Sequence, residues 1–90
     1  MNSVEILTVL KKDLQMLTDS NDEYLKTLLE FSRKLMEQEG IVFVEELECQ
    51  MVQVHYAAYL FRRRGGTETS MPRLLRYELN NLLFSQKGKI

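Results

Sequence analysis

The stretch from Glu46 to Arg64 constrains the fold more than any other part of the chain. It contains neither glycine nor proline, it opens among Glu45, Glu46 and Glu48, and it runs into Gly65-Gly66, which together predict a helix over about 46–64. At about 100° per residue, Leu47, Met51, Val54, Ala58 and Phe61 fall on one side, and Cys49, Val52, Tyr56, Tyr59 and Leu60 gather on the other. A helix that is apolar on two sides needs two partners. One face can pack on a neighbouring helix, and the other calls for either further helices of the same chain or a second subunit.

Three more helical segments supply candidates for those partners. The first covers about 3–16, with Ser3 as N-cap and Leu7, Leu10 and Leu14 on one stripe. Thr18-Asp19-Ser20-Asn21 then makes a turn and can cap the next helix, because these short polar side chains bond nearby backbone groups. The second helix, about 22–39, places Leu25, Leu28, Leu29, Ser32, Leu35 and Met36 on one face. Lys26-Glu30, Glu30-Lys34 and Arg33-Glu37 are four apart on its solvated face, and Gly40 provides the stop. Ile41-Val42-Phe43-Val44 is too short for an independent sheet and reads as a buried connector. The fourth helix, about 71–86, carries Leu75, Leu79, Leu82 and Leu83 as a core stripe, with Leu74, Tyr77 and Phe84 on another side. Pro72 is tolerated in its first turn, Ser70 or Thr69 is the expected cap, and residues 86–90 read as a basic tail.

The expected fold is therefore all-α: one four-helix domain spanning residues 1–90, with a long central third helix. A 90-residue domain buries only roughly 60–65% of its unfolded surface, so association is a natural source of further stability. Charge points the same way. Residues 1–50 carry five Lys/Arg against eleven Asp/Glu, and residues 51–90 carry seven against two, although the formal net charge is only -1. The acidic and basic halves can attract within one fold or between neighbouring copies, and head-to-tail contacts of the latter kind close into rings. With short apolar runs interrupted by charge, no basic-flanked leader after Met1 and a lone Cys49, the chain reads as a soluble protein of a reducing compartment.

Chemistry has little to work with. Cys49 and His55 are separated by about 240° of helical rotation, so they make neither a nucleophile-base pair nor a metal pair. Gly65-Gly66 lacks the strand and the Lys-Ser/Thr of a phosphate loop, and the carboxylates lie at helix starts or on solvated faces. No catalytic residue, metal or cofactor is expected.

Arg62, Arg63 and Arg64 sit where a helix terminus favours cations, but consecutive residues fan over about 200° and cannot address one row of phosphates. With Arg73 and Arg76 across a short loop they can form a basic rim facing double-stranded DNA without reading its sequence. The alternative is a helix-turn-helix DNA-binding protein with the fourth helix as reader. The linker over 65–70 is longer than that motif uses, and the sequence pI of about 5.8 argues against it.

Four segments carry a family resemblance: Asp22-Glu23-Tyr24-Leu25, Tyr56-Ala57-Ala58-Tyr59-Leu60 running into the arginines, Met71-Pro72-Arg73-Leu74-Leu75-Arg76-Tyr77, and Asn80-Asn81-Leu82-Leu83-Phe84. Together they resemble small head-tail connector proteins of tailed phages and prophages, often labelled DNA-packaging proteins. The resemblance implies a structural subunit of the virion, assembled in the bacterial host cytoplasm into a ring of about twelve copies beneath the portal protein. Such a ring extends the DNA channel, completes the head after packaging and meets a tail-side completion protein. No cofactor and no membrane are implied. On this expectation Val52, Tyr56, Tyr59, Leu60, Leu74, Tyr77 and Phe84 supply subunit contact, and Arg62, Arg63, Arg64, Arg73 and Arg76 supply positive potential towards DNA.

Overall fold

The computed structural model describes residues 3–16, 18–64 and 70–87, without the side chains of Ser3 and Lys87. Thr69, the Gly65-Gly66 stop and the tail beyond residue 87 lie outside the described residues, as does the Ser3 side chain on which its expected cap depends. The described residues form α1 (Ser3–Asp13), α2 (Asp22–Gln38), α3 (Leu47–Arg64) and α4 (Arg73–Lys87), with no strand among them.

Helix α3 packs against α1, α2 and α4, and its two apolar sides enter two separate cores. Val54, Ala57 and Ala58 meet Leu7 and Leu10 of α1 and Leu25, Leu28 and Leu29 of α2. The two alanines keep the contact shallow enough for these leucines to reach the helix on one side. Cys49, Val52, Tyr56 and Tyr59 meet Met36, Ile41 and the α4 stripe Leu75, Leu79 and Leu82. The chain therefore covers both faces of α3 by itself. Leu47 is the exception, standing exposed at the first turn of the helix.

The helix ends explain the departures from expectation. Helix α2 stops as expected at Gly40, whose φ of 99° lies in the left-handed region that glycine alone enters freely. Its N–H donates to the Glu37 carbonyl at 3.0 Å, and that of Ile41 donates to Met36 at 3.1 Å, the paired reverse bonds of a Schellman end. Helix α1 ends the same way, three residues before the expected boundary. Gln15 holds the left-handed position at φ 58°, with Gln15 N–H bonded to the Lys12 carbonyl and Met16 N–H to that of Lys11. No glycine announces that stop. Asn21 makes no side-chain cap bond to α2; Lys11 instead bridges Asp19 and Asp22, tying the end of α1 to the start of α2. Helix α4 begins at Arg73 because Pro72 takes the cap position, its carbonyl receiving the Arg76 N–H at 3.1 Å, and a residue before proline avoids helical geometry.

Residues 41–44 are not uniformly buried. Ile41 is buried and Phe43 lies partly covered under the Arg33 guanidinium, 4.5 Å from the ring centroid, whereas Val42 and Val44 face outward. Val42 donates to Gln86 Oε1 at 2.8 Å and accepts from Gln86 Nε2, so the tip of α4 pairs with the connector as a strand would. This pairing also makes the end of α4 ordered helix where a tail is expected to begin. On α2 the anticipated pairs four apart do not form among the described residues; Lys26 approaches Glu23 at 3.5 Å, and Arg33 is committed to Phe43.

A polar seam joins α2 and α3. Gln53 Nε2 and Ser32 Oγ both donate to the Leu29 carbonyl, at 2.9 and 2.8 Å, and Ser32 Oγ also lies 3.3 Å from the Gln53 carbonyl. Gln53 Oε1 is buried without a hydrogen-bond partner. An unsatisfied buried acceptor costs on the order of 1–3 kcal/mol, which offsets most of what the amide donates.

Two predictions follow from these local features. Gly40→Ala should destabilise the domain by about 1–2 kcal/mol, and Gln15→Gly should stabilise it by about 0.5 kcal/mol, because the left-handed conformation is strained only for residues with a Cβ. A Cβ at Gly40 would meet Leu83 Cδ1 at an ordinary 3.5 Å, so the cost is in the backbone; urea titration measures both shifts. By the same assay Gln53→Leu should stay within about 1 kcal/mol of the parent, whereas Gln53→Ala should cost about 2–3 kcal/mol, since it leaves a cavity where leucine fills the space.

Candidate assembly surface and basic residues

The seven residues expected at a subunit contact separate into three groups. Val52, Tyr56 and Tyr59 are at most 7% exposed and belong to the core shared by α3 and α4, which corrects their assignment to an interface. The tyrosine rings lie against each other at 6.3 Å between centroids, tilted by 53°. Burial, and then the neighbouring Glu39 carboxylate, pushes the Tyr56 phenol above its usual range. An amphipathic ring is as useful at a domain's own helix-helix seam as between subunits, which is why composition alone misplaced them. Leu60 is half-buried and packs against both cores, so it too serves the subunit.

Leu74, Tyr77 and Phe84 behave differently, with 67%, 63% and 72% of their surfaces exposed. They share an arc of about 80° on α4, opposite the buried Leu75, Leu79 and Leu82. From Leu74 to Phe84 the stripe is about 15 Å long at 1.5 Å per residue. Asn81 lies within it, and Arg73 and Asn80 border it. Three large apolar side chains thus share one solvent face, Leu74 and Tyr77 one turn apart and Phe84 two turns further on, with Asn81 between Tyr77 and Phe84.

The arginines do not gather into one rim. Arg62 reaches back to α1, its Nη2 lying 3.6 Å from Asp13 Oδ2 and 3.3 Å from the Asp13 carbonyl. Arg64 lies over the Tyr24 ring at 4.6 Å, near the start of α2, whereas Arg76 pairs with Glu39 at the end of α2. Tyr24 and Glu39 are about 22 Å apart along that helix. Arg63 and Arg73 are exposed and make no ion pair among the described residues. A guanidinium already facing a carboxylate, as in Arg62 and Arg76, adds little net positive potential, whereas Arg63, Arg64 and Arg73 keep theirs, Arg64 with its guanidinium over a neutral ring.

Sequence reasoning missed a second surface. Val42 and Val44 point outward from the connector, Leu47 is exposed at the start of α3, and Glu45, Glu46 and Glu48 stand among them without ion pairs among the described residues. The signal was present as a period of two: Ile41 and Phe43 turn in, Val42 and Val44 turn out. Beside them is a cleft of about 260 Å³, lined by Val42, Val44, Glu46, Glu48, Cys49, Leu82, Ser85 and Gln86.

Titratable groups elsewhere are structural in placement. The Cys49 thiol is buried, and desolvation raises its pKa, the opposite of what a nucleophile requires. His55 Nδ1 lies 3.0 Å from both carboxylate oxygens of Glu78, a pair that ties α3 to α4. No cluster of three or more His, Cys, Asp or Glu side chains suited to a metal occurs among the described residues, and no described helix is long and apolar enough to cross a membrane. Compared with protein-family models, with curated proteins and with solved structures, the chain matches none.

Proposed function

We propose that this chain is a structural subunit of a tailed-phage or prophage head-tail connector. It assembles as a ring, of about twelve copies by family resemblance, below the portal protein, extends the DNA channel and completes the head after packaging. A tail-side completion protein docks on the opposite face of the ring, and the assembled protein resides in the virion. The reading rests on the resemblance carried by residues 71–84. The observation that carries it is the α4 stripe of Leu74, Tyr77 and Phe84, which lies within those residues and which the subunit's own core leaves uncovered. A ring subunit needs such surfaces; a self-sufficient monomer does not.

Contact with DNA in such a channel is non-specific and electrostatic. Arg63 and Arg73 are its first candidates, with Arg62, Arg64 and Arg76 held in intramolecular contacts. A helix-turn-helix reader is less well supported, since the linker over 65–70 is longer than that motif uses and the solvent face of α4 sets Leu74, Tyr77 and Phe84 among its arginines and asparagines.

Light scattering and negative-stain imaging, with and without a portal ring, test the assembly. Closed rings are expected, and a strict monomer at high concentration in the presence of the portal would overturn the reading. For DNA, replacing Arg63 and Arg73 with glutamine should leave rings intact and flatten the salt dependence of binding to random duplex. The loss should approach about two in the slope of log K against log salt per subunit in contact. Sequence-selective binding by a monomer would instead establish the helix-turn-helix alternative.

A further inference from the structure

The uncovered α4 stripe and the acidic-apolar edge at residues 42–48 are matched in character. The stripe is apolar and bordered by Arg73, which makes no ion pair among the described residues. The edge is apolar through Val42, Val44 and Leu47 and bears Glu45, Glu46 and Glu48, likewise without ion pairs among the described residues. Arg33, from α2, is stacked on Phe43 of the connector and makes no ion pair with these glutamates among the described residues.

Position decides whether one copy can satisfy itself. Leu82 and Gln86, which line the cleft, lie about 160° around α4 from Phe84. Ser85, which also lines the cleft, lies about 100° from Phe84 but only about 20° in rotation from Leu74, so it is Phe84 that faces away from the cleft of its own subunit, and entry of its ring there joins different copies. A cleft of about 260 Å³ falls below the roughly 300–1,000 Å³ typical of small-molecule sites, and suits one or two inserted side chains.

We propose that the α4 stripe of one copy docks on the 42–48 edge of the next, with an apolar side chain of the stripe entering the cleft and Arg73 facing the glutamates. This deepens the assembly reading above and rests on it for the claim that copies associate. The contact is heterologous: each subunit uses one surface as donor and a different one as acceptor, so successive contacts propagate and close into a ring when the rotation permits. Apolar burial supplies the affinity, whereas the exposed charges set orientation and disfavour the reversed or stripe-to-stripe arrangement.

Two variants of the full chain test it: a donor-defective L74D/F84D and an acceptor-defective V44D/L47D. All four positions are at least 38% exposed, so helix content by circular dichroism should match the parent. In sedimentation velocity from micromolar to millimolar concentration, the parent should form oligomers larger than dimers and each variant alone should be monomeric. The equimolar mixture should stop at a heterodimer, since one intact donor and one intact acceptor remain. Within that heterodimer, Arg73→Glu in the donor partner should weaken association at least tenfold, and E46R/E48R in the acceptor partner should restore it.

A parent that stays monomeric throughout would overturn the proposal, as would a monomeric mixture. Self-association of V44D/L47D would show α4 packing on α4 in a symmetric dimer, which also overturns it. Rings that form on a portal through neither surface would overturn this docking and leave the connector reading standing. A heterodimer from a protein that never engages portal or DNA would do the reverse.

Discussion

Two-sided burial of α3 is the constraint on which the rest of the structure depends. Val54, Ala57 and Ala58 on one side and Cys49, Val52, Tyr56 and Tyr59 on the other must leave water simultaneously. Helices α1 and α2 are too few to cover both, so α4 is required as the second wall. Once α4 turns Leu75, Leu79 and Leu82 to that wall, the helical period carries Leu74, Tyr77 and Phe84 to the far side. The exposed stripe is thus a geometric consequence of the core.

The same packing sorts the charges. Arginines near α1 and α2 are drawn into local contacts with Asp13, Tyr24 and Glu39. The two ion pairs, with Asp13 and Glu39, lie at the surface and contribute little individually, but they reduce the field that the chain's basic half presents to solvent. Among the charges without an ion pair in the described residues are Arg63 at the end of α3, Arg73 at the edge of the stripe, and the glutamates of the 42–48 edge. The acidic and basic halves visible in composition therefore meet partly within the chain, through Asp13 with Arg62 and Glu39 with Arg76.

Legibility in the sequence followed the strength of periodic signals. The buried face of α2, from Leu25 to Met36, and the stop at Gly40 could be read directly, because a 3.6-residue period and a left-handed glycine each leave a local mark. The early end of α1 could not, since Gln15 occupies a left-handed position for which its side chain gives no signal. Tyr56 and Tyr59 were legible as apolar but not as internal, because burial of an aromatic ring looks the same from sequence whether the covering surface belongs to α4 or to another subunit. The buried Gln50 and Gln53 went unread for the opposite reason: polar residues on a helix suggest solvent until a carbonyl such as that of Leu29 is found opposite. The 42–48 surface was hidden by length, as four residues are too few for alternation to outweigh their overall hydrophobicity.

The central claim is that the α4 stripe is covered by another copy, and hydroxyl-radical footprinting of the assembled and dispersed protein measures it at single-residue level. Leu74, Tyr77 and Phe84 should be labelled strongly when dispersed and protected on assembly, while Tyr56 and Tyr59 should be labelled weakly in both states. Assembly that leaves Tyr77 and Phe84 as reactive as in the dispersed subunit would contradict it.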